Sequence, residues 1–222
     1  MPVDKKEVTS RPLNLGVLIS GGGRTLQNLI DRINDGSLKA QIRIAISSNP
    51  EAFGLERARR YNIPHLIINR KNFKNDDSFS QAITEELGKY ELDLIILAGF
   101  NCFYQIPEKY EGKVMNIHPA LIPAFCGKGY YGEKVHEAVL ESGVKITGCT
   151  VHFADNSYDH GPIILQRTVP VLDDDTPESL AERVFKEECI AYPEAIKLFQ
   201  EGRLKIEGKK VRILSASPGR QQ

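Results

Sequence analysis

Asn116 and His118 stand two residues apart in the run Val114-Met115-Asn116-Ile117-His118-Pro119. Side chains of a strand repeat every two residues, so the amide and the imidazole share one face. Pro119 holds His118 extended and cannot continue a ladder, which puts the pair at the carboxyl end of its strand. There the two groups could polarise a carbonyl and move a proton. Taken alone, the pair reads first as a hydrogen-bonded structural histidine. Asp159, in Ser157-Tyr158-Asp159-His160-Gly161-Pro162, has two readings as well. Locally it reads as a former of the turn that Gly-Pro invites, although it could also orient a histidine and raise its pKa.

A second candidate is the turn Ser20-Gly21-Gly22-Gly23-Arg24-Thr25. Glycines let a backbone approach an anion, and the free N–H groups of a following helix favour a phosphate. Arg24 adds charge and Thr25 a hydroxyl. The spacing is neither that of a dinucleotide fingerprint nor that of a lysine-containing phosphate loop. The alternative is a tight turn that binds nothing. Glu188 falls in register with Leu180, Val184 and Ala191, which sets a carboxylate on an apolar helical stripe. Such an acid either meets a ligand or reaches out to water from the stripe's edge. His65, His136 and His152 carry no pattern of their own, and His160 sits in a turn beside Asp159. Arg57, Arg59 and Arg60 read as a solvated helix face.

The elements that position these residues follow from periodicity. Leu13–Ser20 is a short, nearly continuous apolar run, and Leu26, Leu29, Ile30 and Ile33 then trace one helical face. Ile42, Ile44 and Ile46 alternate as a second strand. Residues 53–61 suit a helix, 65–68 a strand, 79–87 a helix and 92–99 a buried strand. Alternation of this kind calls for a mainly parallel sheet covered on both faces. Beyond it, 114–118 is a short strand, 133–142 a helix, and 146–153 and 163–172 longer strands. This second half meanders, so the sheet is expected to be mixed. Thr176-Pro177 opens a long helix, and Leu204, Ile206, Val211 and Ile213 flank Gly208 as a terminal hairpin.

Composition narrows the function classes. With 29 basic and 29 acidic residues the 222-residue chain has no formal net charge, which argues against nucleic-acid binding. No apolar run has the length a bilayer needs. The four cysteines are scattered without a C-x-x-C pair, as for free thiols in a reducing compartment, so neither zinc nor disulfides are expected. The start of the chain lacks the apolar stretch of a signal peptide, giving a soluble, cytoplasmic expectation. The domain is expected over 12–214, between a flexible segment 1–11 and a disordered tail 215–222.

The ordered series of motifs resembles the glycinamide ribonucleotide transformylases, the folate-dependent formyltransferases of purine biosynthesis. The resemblance runs from Leu13 to Ile213. It rests on Ser20-Gly21-x-Gly23, Phe53-Gly54-Leu55-Glu56-Arg57-Ala58, Leu97-Ala98-Gly99-Phe100 and Asn116-Ile117-His118-Pro119-Ala120-Leu121-Ile122-Pro123. Thr150-Val151-His152-Phe153, Asp159-x-Gly161-Pro162-Ile163-Ile164 and Tyr192-Pro193 complete it. It implies an α/β fold: a single-domain, Rossmann-like formyltransferase with a mixed, mainly parallel sheet and helices on both faces. It implies a catalytic trio of Asn116, His118 and Asp159, in which Asp159 raises the pKa of His118 and the protonated ring helps to hold an oxyanion. It also implies that Gly22, Gly23, Arg24 and Thr25 hold a ribonucleotide phosphate while Glu188 meets the glycinamide part. Asn101, Cys102, Phe103 and Tyr104, with Asn116 and Asp159, would face the folate, 10-formyltetrahydrofolate as co-substrate, without a metal. The partners implied are these small molecules, for a monomer or homodimer.

Three stretches depart from the commonest pattern of that family. They are the Gly-Gly-Gly-Arg-Thr turn, the Asn101–Tyr104 segment, and a glycine-rich connection, Phe125–Gly132, that suggests a flap. Methionyl-tRNA formyltransferase and formyltetrahydrofolate hydrolase normally carry an additional domain. A formyltransferase for another amine, such as an amino sugar nucleotide, is the alternative reading. A nucleotide-binding protein without catalysis is less well supported, because the Asn-x-His and Asp signals occur together.

Overall fold

The computed structural model describes residues 11–215. The strands are β1 (Leu13–Ile19), β2 (Ala40–Ser47), β3 (His65–Ile67), β4 (Leu94–Leu97), β5 (Val114–His118), β6 (Ile146–Phe153), β7 (Ile163–Pro170), β8 (Leu204–Glu207) and β9 (Lys210–Ile213). The helices are α1 (Arg24–Asn34), α2 (Gly54–Arg60), α3 (Asp76–Leu87), α4 (Glu133–Ser142) and α5 (Pro177–Gln200). The nine strands of the described residues join one sheet in the order β3-β2-β1-β4-β5-β6-β7-β9-β8. The pairs from β3 to β5 are parallel, whereas β5–β6, β6–β7 and β8–β9 are antiparallel. The expected mixed sheet is therefore present, parallel through the first half of the chain and mostly antiparallel beyond it, where only a short β7–β9 contact is parallel among the described residues.

Burial follows the two faces of that sheet. Leu15, Val17 and Ile19 of β1 pack with Leu26, Leu29 and Ile30 of α1 and with Val184 and Tyr192 of α5. Leu18 packs on the opposite face with Phe79, Ile83 and Leu87 of α3. In β2 the sequence pattern alone puts Ile42, Ile44 and Ile46 on one face, but the structure divides them. Leu15 pairs with Ile42 and Gly16 with Ile44, leaving Arg43 as the extra residue of a bulge. Ile42 accordingly joins the α1 side, and Ile44 and Ile46 the α3 side.

The chain leaves β1 for β2 and β3 on one side and returns to β4 on the other. Strand order thus reverses between β1 and β4, and a crevice opens outside their carboxyl ends. Tyr192 of α5 is fully buried beneath this point, its hydroxyl 3.1 Å from the Leu97 carbonyl and 2.7 Å from that of Met115. Thr176 caps α5 by accepting from the Ser179 amide, and the Ser179 hydroxyl accepts in return from the Thr176 amide. At the start of the domain, Arg11 makes a two-point ion pair with Asp93, both contacts 2.7 Å. The rest of the expected flexible ends, 1–10 and 216–222, lies outside the described residues.

Candidate active site

β5 occupies the middle of the sheet, and its carboxyl end delivers Asn116 and His118 on one face, as their spacing requires. The antiparallel register of β6 then sets His152 directly opposite Asn116. Asp159 comes from the turn that follows β6, with φ at 52°, a left-handed conformation costly for a non-glycine residue. Its Oδ1 accepts from Asn116 Nδ2 at 3.3 Å, and its Oδ2 accepts from the Gly127 amide at 2.9 Å. His118 Nδ1 lies 3.5 Å from Oδ2, and His152 Nε2 3.7 Å from Oδ1. The structure brings the expected trio together, with His152 beside it.

Hydrogen bonds fix both imidazoles. His152 Nδ1 is 2.9 Å from the Phe153 carbonyl, which can only accept, so Nδ1 carries the hydrogen and Nε2 accepts from Asn116 at 3.1 Å. His118 Nε2 is 2.8 Å from the Phe125 carbonyl and must donate to it. In the neutral ring this leaves Nδ1 bare, facing Asp159. Burial drives the pKa of His118 down, and the attraction of Asp159 only partly offsets it. Asp159 does raise the pKa of this histidine, as expected, but burial outweighs it and the net shift is downward. With side-chain exposure of only 4%, the cost of desolvating an imidazolium outweighs one carboxylate at 3.5 Å. Asp159 behaves oppositely. Burial pushes its carboxyl up, but the nearby imidazoles of His152 and His118 and the Gly127 amide together hold it below its ordinary value.

These groups open onto a cavity of about 290 Å³. Asn101, Cys102, Phe103 and Tyr104 line it, as the resemblance implies, and Tyr158 packs on Phe103 with ring centres 5.1 Å apart. The glycine-rich connection supplies the opposite wall through Gly127, Gly129, Tyr130 and Tyr131. Among the described residues no three His, Cys, Asp or Glu side chains converge as a metal-binding group, and all four cysteines are free.

The glycine turn lies beside this cavity. Gly21 reaches the lining, but Gly22, Gly23, Arg24, Thr25 and Glu188 do not. Gly23 caps α1 with φ at 68° and no side-chain cap, so the first amides of the helix have no side-chain acceptor. A Cβ on Gly23 would meet the Gly54 Cα at 2.6 Å, so the two glycines also let α1 and α2 approach. Arg57 is not merely solvated: its Nε donates to the Gly22 carbonyl at 2.9 Å and steadies the turn. Arg24 is tied to Glu182 by two bonds of 2.5 and 2.8 Å and lies 3.9 Å over the Phe185 ring. Glu188 has no hydrogen bond or ion pair among the described residues. Burial pushes its carboxyl up to about 7, against the opposite pull of Arg24.

His152, the Phe125 carbonyl and the Gly127 amide are the parts of the site that periodicity missed. The alternation of β6 did set His152 on one face, but nothing local marks which residue stands opposite Asn116.

Residues 13–196 match the formyl transferase family, and the chain belongs to it. It is 42% identical over 201 residues to the trifunctional purine biosynthetic protein adenosine-3 of Bos taurus, covering 90% of this chain and 19% of that protein. It thus spans about a fifth of the bovine protein's length. The phosphoribosylglycinamide formyltransferase of Haemophilus influenzae is 37% identical over 195 residues, covering 87% of this chain and 90% of that one. The crystal structure of glycinamide ribonucleotide transformylase 1 from Symbiobacterium toebii superimposes with a TM-score of 0.87 at 43% identity, covering 93% of this chain and 96% of that one.

Proposed function

We propose that the chain transfers the formyl group of 10-formyltetrahydrofolate to the amine of glycinamide ribonucleotide. The observation that carries this reading is the convergence of Asn116, His118 and Asp159 on a cavity walled by aromatic rings, which suits a flat heteroaromatic donor. The names of relatives that this chain covers over nine-tenths or more of their length support the acceptor. The uncapped amino end of α1 offers its amides to the ribonucleotide phosphate.

The chemistry follows from the resting contacts. A neutral amine attacks the formyl carbon, and the carbonyl oxygen becomes an oxyanion. Neutral His118 takes up the amine's proton through water at Nδ1, where Asp159 stabilises the resulting imidazolium. That new charge, with the Asn116 amide, steadies the oxyanion. The proton then passes to the folate nitrogen as the carbon–nitrogen bond breaks. Asn116 gives both amide hydrogens to His152 and Asp159, and His118 gives Nε2–H to Phe125. An oxyanion is met only when one of these contacts is exchanged for it, and the 3.3 Å bond to Asp159 is the longest.

The test is incubation with both substrates, following release of tetrahydrofolate. Formylated glycinamide ribonucleotide is the expected product. Turnover with a different amine alone, such as an amino sugar nucleotide, overturns the acceptor and keeps the chemistry.

A further inference from the structure

The turn that carries Asp159 is gripped from two sides by residues outside the chemistry above. On one side Asn156 clamps Ile106: its Oδ1 accepts from the backbone amide at 2.7 Å, and its Nδ2 donates to the carbonyl at 3.1 Å. On the other, Lys209 Nζ lies 2.7 Å from His160 Nε2, and His160 Nδ1 lies 2.9 Å from Asp155 Oδ2. An ammonium only donates, so His160 Nε2 accepts and the ring hydrogen sits on Nδ1, facing Asp155. Asp155 Oδ1 accepts in turn from the Ser157 amide at 3.0 Å. Lys209 belongs to the two-residue turn between β8 and β9, so the terminal hairpin touches the residue next to Asp159.

Asp159 needs such restraint. Its φ of 52° is held only where surrounding contacts determine the backbone. The neighbouring Gly161 is pressed so closely on the Phe153 carbonyl that a Cβ would lie 1.9 Å from it, which fixes the far end of the turn but not Asp159 itself. A small displacement of a catalytic group is costly to rate while leaving substrate binding intact.

We infer that the Lys209–His160–Asp155 chain is a positioning device, through which the terminal hairpin sets the place of the Asp159 carboxylate. The inference rests on the catalytic reading of Asp159 given above. The chain is half-exposed at His160, so a single broken link has a modest effect.

The test compares Lys209→Ala with Lys209→Arg in the full chain. Lys209→Ala is expected to lower kcat about three- to tenfold while KM for the acceptor amine and the urea unfolding midpoint stay unchanged. Lys209→Arg, which still donates to His160, is expected to recover most of the rate. Adding Asp155→Asn to Lys209→Ala should cost little more, because both break one chain. An unchanged kcat in Lys209→Ala overturns the inference, as does a loss that follows the unfolding midpoint. Should the wild type transfer no formyl group, the reading of Asp159 falls. The coupling is then decided by the 13C resonance of the Asp159 carboxyl, which moves on Lys209→Ala but not on Lys209→Arg if the inference holds, and moves in neither if it does not.

Discussion

Asp159 is the charge around which Asn116, His118, His152 and the Gly127 amide are arranged. Replacing it by asparagine keeps the size and removes the charge that stabilises a protonated His118. Asp159→Asn is expected to reduce kcat by roughly 10²- to 10⁴-fold with the fold intact, read from tetrahydrofolate release and circular dichroism. The pH dependence has a definite sign. Because burial lowers the His118 pKa, the ring is neutral at pH 7 and able to accept a proton. The kcat/KM profile should be flat near neutrality and fall only on the acid side, below the ordinary histidine value. In Asp159→Asn the main influence raising that pKa is lost, so the acid limb of the residual activity should move to lower pH. A limb that moved upward would contradict the neutral-base reading.

Among the elements, the two helix starts beside the sheet behave differently. α1 begins at a glycine held at φ 68° and packed 2.6 Å, as a virtual Cβ, from Gly54. Gly23→Ala adds a strained backbone and a collision with main chain that cannot swing away. It is expected to cost about 1–3 kcal/mol in urea unfolding and to weaken acceptor binding through the displaced helix amides. α5 begins with a reciprocal Thr176–Ser179 cap at an exposed position. Thr176→Ala should cost only about 1 kcal/mol and leave KM unchanged. A Gly23→Ala protein as stable as the wild type would separate the glycine turn from the packing role given to it here.

At the scale of the whole molecule, two buried titratable groups oppose one another. The folded-state pKa of His136 is lowered to about 4 by burial, first, and by the nearby His118. The unfolded chain then binds this proton more tightly, so the stability contribution is complete above pH 6.5 and is lost as pH falls toward 4. Glu188, raised to about 7, has the reverse sign. Its contribution is complete below its ordinary value of 4.5 and is lost as pH rises through 7. Between these limits the two trends offset, and stability should vary little with pH. Glu188→Gln removes one of them. Its stability relative to wild type is expected to rise by about 1–3 kcal/mol between pH 5 and pH 8, at the lower end because the side chain still meets some solvent. Thermal unfolding at the two pH values measures the difference, and a pH-independent difference sinks the assignment.

Much of this was legible in the residues themselves. Apolar runs, strand alternation and helical spacing pointed to the main elements, and Thr176-Pro177 marked the start of α5, because these signals come from neighbours along the chain. The shared face of Asn116 and His118 followed from strand geometry for the same reason. What stands opposite a residue does not follow from its neighbours. The bulge at Arg43 that divides the isoleucines of β2, the register that brings His152 to Asn116, and the turn that folds Asp159 back onto His118 are set by pairing across the sheet. The direction of the His118 pKa was decided there too, since it depends on how much water the assembled core excludes rather than on which carboxylate is near.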